Sequence, residues 1–129
     1  MSKAVFDTSA ILSIYHQEPG RKKVLQLIER HQPIISSINL AELYSKLSEV
    51  GLTEDEITES FDGLDIEIVD FSKKHAATTG SLRVRTKELG LSLADRGCLA
   101  VAINEKAIAI TADRSWGDLA DLCKIEVIR

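Results

Sequence analysis

Short apolar runs alternate with segments of helical periodicity along the whole chain, and this alternation restricts the fold more than any other feature of the sequence. Runs of this kind predict βαβ units and a mainly parallel sheet, because each helix returns the chain to the end where the next strand starts. Five runs are predicted to be strands: residues 4–6, 33–36, 66–69, 107–110 and 125–128. The sequence therefore predicts an α/β fold with a mainly parallel sheet of about five strands.

Helical patterns separate these runs. Apolar residues spaced three and four apart predict helices over residues 9–15, 21–30, 40–50, 53–62, 72–85, 92–104 and 115–122. Thr53 and Glu56 form a capping-box pattern, and Gly51 is typical of the residue that follows a helix. Ser92 opens a nearly all-apolar helix, which we expect to be buried. No repeat or linker interrupts the pattern, so we expect residues 1–129 to form a single domain.

Composition narrows the possible classes of protein. The chain has 129 residues, of which 44% are apolar and 5% aromatic, and this predicts an aliphatic core. It has neither an apolar run of about 18 residues nor a signal-peptide pattern, so we expect a cytoplasmic protein that does not enter a membrane. Cys98 and Cys123 lack metal-ligand spacing and are expected to be reduced core residues. The net charge of −4 does not by itself indicate nucleic-acid binding.

Four short motifs place a carboxylate where an apolar stretch ends or a helix begins. They are Val5-Phe6-Asp7-Thr8-Ser9, Asn39-Leu40-Ala41-Glu42, Leu93-Ala94-Asp95-Arg96 and Ile110-Thr111-Ala112-Asp113. Asp7 and Asp113 both follow strands, so we expect them to share the sheet edge where ligands bind in open parallel sheets. Four like charges in one pocket repel each other unless protons or a divalent cation neutralise them. The motifs therefore predict chemistry on a phosphate ester assisted by Mg²⁺ or Mn²⁺, the ions that hard oxygen ligands select.

Each of these acids also has a structural interpretation, which the sequence leaves open. Asp7 could cap the helix that follows it, and Asp113 could be a turn residue. Glu42 stands close to a capping-box pattern that begins at Asn39, and Asp95 stands in a complete one. We place Glu42 and Asp95 in the first turns of helices, where the helix dipole favours negative charge. Capping and metal binding therefore do not exclude each other.

Other polar groups accompany the acids. Thr8, Ser9 and Thr111 could orient a carboxylate or a bound water, although Thr8 or Ser9 could simply start a helix. Asp118 is a fifth acid near the last motif, and it also fits a helix cap. Trp116 is predicted to anchor the last helix to the core.

In this order and at this spacing, the four motifs resemble those of PIN-domain ribonucleases, and specifically the VapC-type toxins of bacterial toxin–antitoxin pairs. The resemblance extends over essentially the whole chain, with anchors at residues 5–10, 37–43, 90–100 and 111–114. It implies a three-layer α/β/α sandwich. The acidic quartet of the family carries over to Asp7, Glu42, Asp95 and Asp113. The supporting hydroxyl of the family corresponds to Thr8 or Ser9, and a less regular fifth acid to Asp118.

The resemblance also implies an activity and partners. It leads us to expect a Mg²⁺- or Mn²⁺-dependent endoribonuclease toxin that forms homodimers and is neutralised by a VapB-like antitoxin. Asp7, Asp95 and Asp113 would hold the metal, while Glu42 would either ligate it or accept a proton from the attacking water. The functional alternative is a non-catalytic PIN-like module that binds RNA or protein.

Two arginines each follow a predicted metal ligand by one residue. Arg96 and Arg114 are candidate RNA contacts, and solvent-facing salt bridges are the alternative role for both.

A receiver-like phosphoacceptor domain would also be acidic and of this size, but it needs paired acids after the first strand. Asp7 has no acidic neighbour, so this class fits less well.

Overall fold

A computed structural model describes residues 2–129 and shows five strands in one parallel sheet. The strands are Lys3–Phe6 (β1), Gln32–Ser36 (β2), Glu67–Val69 (β3), Ile108–Thr111 (β4) and Ile125–Val127 (β5). Their order in the sheet is β3-β2-β1-β4-β5, and each neighbouring pair is parallel. The chain therefore starts at the centre of the sheet, winds out to β3, and crosses back past β1 to β5. The predicted parallel sheet of about five strands is confirmed.

Helices make all the connections between these strands. The α-helices are Thr8–Tyr15 (α1), Arg21–Arg30 (α2), Ser37–Glu49 (α3), Glu54–Asp62 (α4), Lys73–Thr86 (α5) and Leu93–Glu105 (α6). Short 3-10 helices span Lys87–Leu89 and Arg114–Leu119. The last predicted helix, over residues 115–122, is thus a shorter 3-10 segment. The predicted capping box at Thr53 and Glu56 is confirmed, since each residue bonds the backbone N–H of the other.

Alternate side chains of the central strand pack on opposite faces of the sheet, as the pleat of a strand requires. Val5 belongs to a buried cluster that contains Leu99 of α6. Phe6 belongs to a second buried cluster, together with Ile11 of α1 and Leu43 of α3. The sheet therefore lies between two helical layers, which gives the expected α/β/α sandwich.

Several expectations about single residues are also tested by the fold. Trp116 is fully buried in the cluster on the α6 face, which confirms its role as an anchor. Cys98 is buried and Cys123 half-buried, and both are free thiols. Most residues of α6 are buried, as its apolar sequence predicts. Within residues 2–129, the helices are too short or too polar to cross a membrane.

Candidate active site

The four predicted carboxylates come from four separate segments near the carboxyl edge of the sheet. Asp7 follows β1 directly, and its backbone N–H donates to the carbonyl of Ile110 on the neighbouring strand β4. Asp113 lies two residues beyond the end of β4. Because β1 and β4 are parallel neighbours, the expectation that Asp7 and Asp113 share one edge is confirmed. Glu42 and Asp95 are carried by α3 and α6, which pack against each other.

Asp7 is the most enclosed of the four, with only 2% of its surface exposed. Its Oδ2 accepts hydrogen bonds from Ser9 Oγ at 2.7 Å and from Thr111 Oγ1 at 3.0 Å. Its Oδ1 accepts a hydrogen bond from Asn39 Nδ2 at 3.3 Å. Asp7 occupies the N-cap position of α1, yet its side chain makes no capping bond. The capping interpretation is therefore wrong for Asp7, whose carboxylate is held by side chains from three other positions.

The surroundings of Asp7 disfavour its charged form. The pKa of Asp7 is raised from 3.8 to about 7, mainly by burial and also by the charges of Asp95 and Glu42, while the hydrogen bonds from Ser9 and Thr111 lower it. A carboxylate with these surroundings is costly to keep ionised near neutral pH. Strongly shifted groups of this kind are concentrated at functional sites.

Asp95 is affected by its acidic neighbours as well. Burial raises the pKa of Asp95, the charges of Glu42 and Asp113 add to this, and the hydrogen bonds with Ser92 oppose it. Asp95 thus interacts electrostatically with each of the other three acids. The tertiary structure connects the four predicted acids through Asp95.

The carboxylates of Asp95 and Asp113 are turned toward nearby backbone groups. Asp95 Oδ2 accepts from the N–H of Ser92 at 2.9 Å, and the N–H of Asp95 donates to Ser92 Oγ at 3.1 Å, which confirms the predicted capping box. Asp113 Oδ1 accepts from the backbone N–H of Ser115 at 2.9 Å and from its Oγ at 2.8 Å. Within residues 2–129, no three Asp, Glu, His or Cys side chains are placed so that they could hold a metal ion as they stand.

The donor set nevertheless suits a hard divalent cation. All four groups are carboxylates, the ligand type that Mg²⁺ and Mn²⁺ prefer. The buried Asp7 carboxylate with its raised pKa is the group that a neighbouring cation would stabilise most. The residues therefore fit a metal in charge and chemistry.

Glu42 does not lie where the sequence pattern placed it. The helix α3 begins at Ser37, and its cap is Ser36, whose Oγ accepts from the N–H of Ile38. Glu42 is consequently in the second turn rather than the first, and the capping-box interpretation that begins at Asn39 is wrong. The error arises because Ser36 ends β2 and caps the helix at once, which leaves no loop between strand and helix.

The predicted supporting hydroxyls connect Asp7 to the neighbouring segments. Ser9 Oγ accepts from the backbone N–H of Ala112 at 3.0 Å, and Thr111 Oγ1 accepts from that of Asp113 at 3.1 Å. Both hydroxyls also donate to Asp7, so they fix the position of the Asp113 segment relative to it. Thr8 is buried and donates to the backbone carbonyl of Asn39 at 3.1 Å.

The other three candidate residues lie at the periphery. Arg96 is half-buried, and its Nη1 donates to the carbonyl of Thr79 on α5 at 3.0 Å. Arg114 is exposed, and its Nε donates to the carbonyl of Arg129 at 3.2 Å. Neither arginine forms an ion pair with another residue of the region 2–129, so the salt-bridge alternative is not found there. Asp118 is exposed on the second 3-10 helix.

One residue that the sequence did not single out lies among the acids. Asn39 is fully buried, and its amide bonds Asp7, Thr8 and the backbone of α6. In the sequence Asn39 stands out only as a polar amide in an otherwise apolar motif and as the start of the capping-box pattern before Glu42.

Comparisons with known proteins identify the class to which this fold belongs. The model of the PIN domain family matches residues 4–122. The chain belongs to the PIN domain family, which confirms the predicted resemblance. No curated protein sequence matches the chain.

Solved structures of similar fold come from bacterial toxin–antitoxin complexes. A chain of VapBC2 from Rickettsia felis, bound to a DNA fragment from its promoter, is 25% identical with a TM-score of 0.76, over 97% of this chain and 98% of that chain. A chain of DNA-bound VapBC from Salmonella typhimurium is 22% identical, with a TM-score of 0.75 over 100% of both chains. A chain of a toxin–antitoxin complex from Klebsiella pneumoniae is 23% identical, with a TM-score of 0.71 over 98% of both.

Proposed function

We propose that this chain is a Mg²⁺- or Mn²⁺-dependent endoribonuclease that acts as a VapC-like toxin. The observation that carries the proposal is Asp7, a carboxyl group with 2% of its surface exposed and a pKa raised to about 7 by burial and by neighbouring acids. An arrangement of this kind lowers stability unless a cation is bound, so a role in binding explains it better than a role in folding. Membership of the PIN domain family supports the same function.

The four acids divide into two roles in this proposal. Asp7, Asp95 and Asp113 would hold the ion, directly or through water. When bound, the ion would supply a water of lowered pKa and a counter-charge for the phosphate. Glu42, half-buried on α3, would ligate the ion or accept the proton of the attacking water. The two hydroxyls that bond Asp7 keep its carboxylate oxygens in a fixed direction.

The proposal extends to partners and cellular context. We propose that residues 1–129 form a single PIN domain, that two copies form a homodimer, and that a VapB-like antitoxin covers the acidic edge. Support comes from the similar chains, which were found in VapBC and other toxin–antitoxin complexes. RNA would be the substrate, with Arg96 and Arg114 as candidate contacts to its phosphates, and the cytoplasm the compartment.

Mapping of RNA ends tests the activity and the site together. Brief expression of the wild type should create new ends with a 5′-phosphate and a 3′-hydroxyl, because water rather than the ribose 2′-hydroxyl attacks. The Asp7→Asn variant should create none, while Asp70→Asn, which changes an exposed acid outside the four motifs, should match the wild type. A 2′,3′-cyclic phosphate product would refute metal-activated water, and unchanged cleavage by Asp7→Asn would refute the assignment of the site.

A non-catalytic binding module is the second candidate. It is favoured by the backbone hydrogen bonds that already engage Asp95 and Asp113, and by the lack of a ready-made three-ligand cluster in residues 2–129. Thermal unfolding with and without Mn²⁺ separates the two functions. A metal at about 100 times its Kd should stabilise the wild type by about 2.7 kcal/mol, or roughly 10 °C in Tm, and Asp95→Asn should lose most of this shift. The same Tm with and without Mn²⁺ would favour the binding module.

A further inference from the structure

Asn39 is a fully buried amide that contacts three of the segments around the acidic edge. Its side chain is fully buried, and its Nδ2 lies 3.3 Å from Asp7 Oδ1, 3.2 Å from Thr8 Oγ1 and 3.1 Å from the carbonyl oxygen of Ala94. Thr8 in turn donates its hydroxyl proton to the backbone carbonyl of Asn39. One amide group therefore joins the start of α1, the first turn of α3 and the first turn of α6.

Three of the four carboxylates lie on or next to these three segments. Asp7 is bonded directly, Glu42 lies one helical turn after Asn39, and Asp95 follows Ala94 in the chain. The fourth acid, Asp113, is connected to Asp7 by a separate route, in which its backbone N–H donates to Thr111 Oγ1 and that hydroxyl donates to Asp7. Asp7 is thus the point at which two hydrogen-bond networks meet, and Asn39 is the centre of one of them.

The chemistry of the amide fixes its orientation. The carbonyl of Ala94 can only accept, as does the Asp7 carboxylate when it is ionised, so the NH₂ group faces them, and a flipped amide would place an oxygen against the Ala94 carbonyl. The amide oxygen, Asn39 Oδ1, is buried and has no donor among residues 2–129. A buried acceptor without a donor lowers stability. The NH₂ group of Asn39 thus bonds the acceptors around Asp7, while the oxygen of the same amide is left without a donor.

We propose that Asn39 is a positioning residue for the metal site: its amide holds the Asp7 carboxylate next to the first turn of α6, which carries Asp95, and so keeps together two of the residues that would hold the ion. This inference rests on the proposed metal-dependent function. Hydrogen-bond partners that orient ligand carboxylates commonly change metal affinity by about 10- to 100-fold when removed. Loss of the Asn39 amide should therefore weaken metal binding, and not only the fold.

Titration with Mn²⁺, followed by thermal unfolding, separates positioning from a purely structural role. Asn39→Leu keeps the branched shape of the side chain and removes its polar atoms, while Asn39→Ser keeps one hydroxyl that can bond a single acceptor. Both variants should raise the Mn²⁺ concentration at half-maximal stabilisation by about 10-fold or more. Leu47→Ala is the matched control, because Leu47 is a buried residue of the same helix and belongs to the core cluster rather than to the acidic edge. It should lower Tm in EDTA and leave the Mn²⁺ midpoint unchanged.

The outcomes distinguish this inference from the proposed function. If either Asn39 variant folds and its Mn²⁺ midpoint stays within twofold of the wild type, Asn39 is structural only and the inference is refuted. If the wild type itself shows no response to Mn²⁺, the metal-dependent function fails and the inference fails with it. If Leu47→Ala shifts the midpoint as much as the Asn39 variants, the effect reports general loosening, which also refutes a specific role for Asn39.

Discussion

Replacement of Asp7 by Asn should stabilise the protein above neutral pH when no divalent cation is present. Burial raises the pKa of Asp7 from 3.8 to about 7, so between these values the folded state keeps a proton that the unfolded chain has released. The contribution of Asp7 to the free energy of unfolding is therefore fully present below pH 3.8 and is lost as the pH rises through about 7. Because the pKa of Asp7 rises by about three units, ionised Asp7 lowers the free energy of unfolding by at most about 4 kcal/mol. The value is an upper limit, since side-chain rearrangement and counter-ions relieve part of the penalty.

The hydrogen-bond network can accept an amide at this position. The oxygen of the introduced Asn would accept from Asn39 Nδ2, as Asp7 Oδ1 does now. Its NH₂ group would donate to the hydroxyl oxygens of Ser9 and Thr111, which can rotate their protons elsewhere because a hydroxyl both donates and accepts. The substitution therefore removes the buried charge, and one of the two displaced hydroxyl protons can be taken up by the contact between Ser9 Oγ and Thr111 Oγ1.

Urea unfolding in EDTA between pH 5 and pH 8 tests this reasoning. The free energy of unfolding of the wild type should fall across this range, while that of Asp7→Asn should change much less, so that the variant is more stable by about 2 to 4 kcal/mol at pH 8. The control Asp70→Asn, at an exposed acid, should follow the wild type throughout. Parallel curves for wild type and Asp7→Asn, or a variant that is less stable at pH 8, would refute the electrostatic argument. Saturating Mn²⁺ should reverse the order, because only the wild type gains binding energy.

Two further predictions concern the packing and the cap of α6. Gly97→Ala should destabilise by about 1 to 3 kcal/mol, because an added Cβ would lie 2.8 Å from Ile38 Cγ2 on α3. In Gly80→Ala in α5, the added Cβ meets no atom within 4 Å, and the substitution should instead stabilise by about 0.5 to 1 kcal/mol. The two variants should therefore shift the urea midpoint in opposite directions, and equal shifts would contradict the packing argument. Ser92→Ala removes the hydroxyl that caps α6 at Asp95 and should lower Tm by an amount equivalent to about 1 kcal/mol; an unchanged Tm would show that the cap contributes nothing.

Local patterns predicted the elements of this fold well. The helix over 21–30 was placed at both ends, since its apolar residues Val24 and Leu27 repeat at helical spacing and both are buried. The capping boxes at Thr53 and Ser92 were also correct, because a cap depends on residues only three positions apart. The start of α3 was missed, because Ser36 serves the strand and the helix at once and the pattern at Asn39 imitates a cap.

The candidate site was predictable only in part. Asp7, Glu42, Asp95 and Asp113 could be named because each stands in a short motif of the family that the sequence resembles. The orientation of their side chains could not be predicted, since Asp95 and Asp113 face backbone donors in the structure while Asp7 does not. A motif identifies the residue at a position, but it does not predict whether the carboxylate of that residue accepts hydrogen bonds from the backbone or from other side chains.

The sequence by itself determined the strands, the helices and the identity of the four acids, because periodicity, caps and motifs are properties of single segments. Only the tertiary structure decided that β1 lies between β2 and β4, and this placement buries Asp7 and raises its pKa. It alone revealed Asn39, whose contacts join residues 31 to 55 positions apart in the chain. The physical reason is that burial, charge repulsion and shared hydrogen bonds depend on distances in space, which only the crossovers of the chain establish.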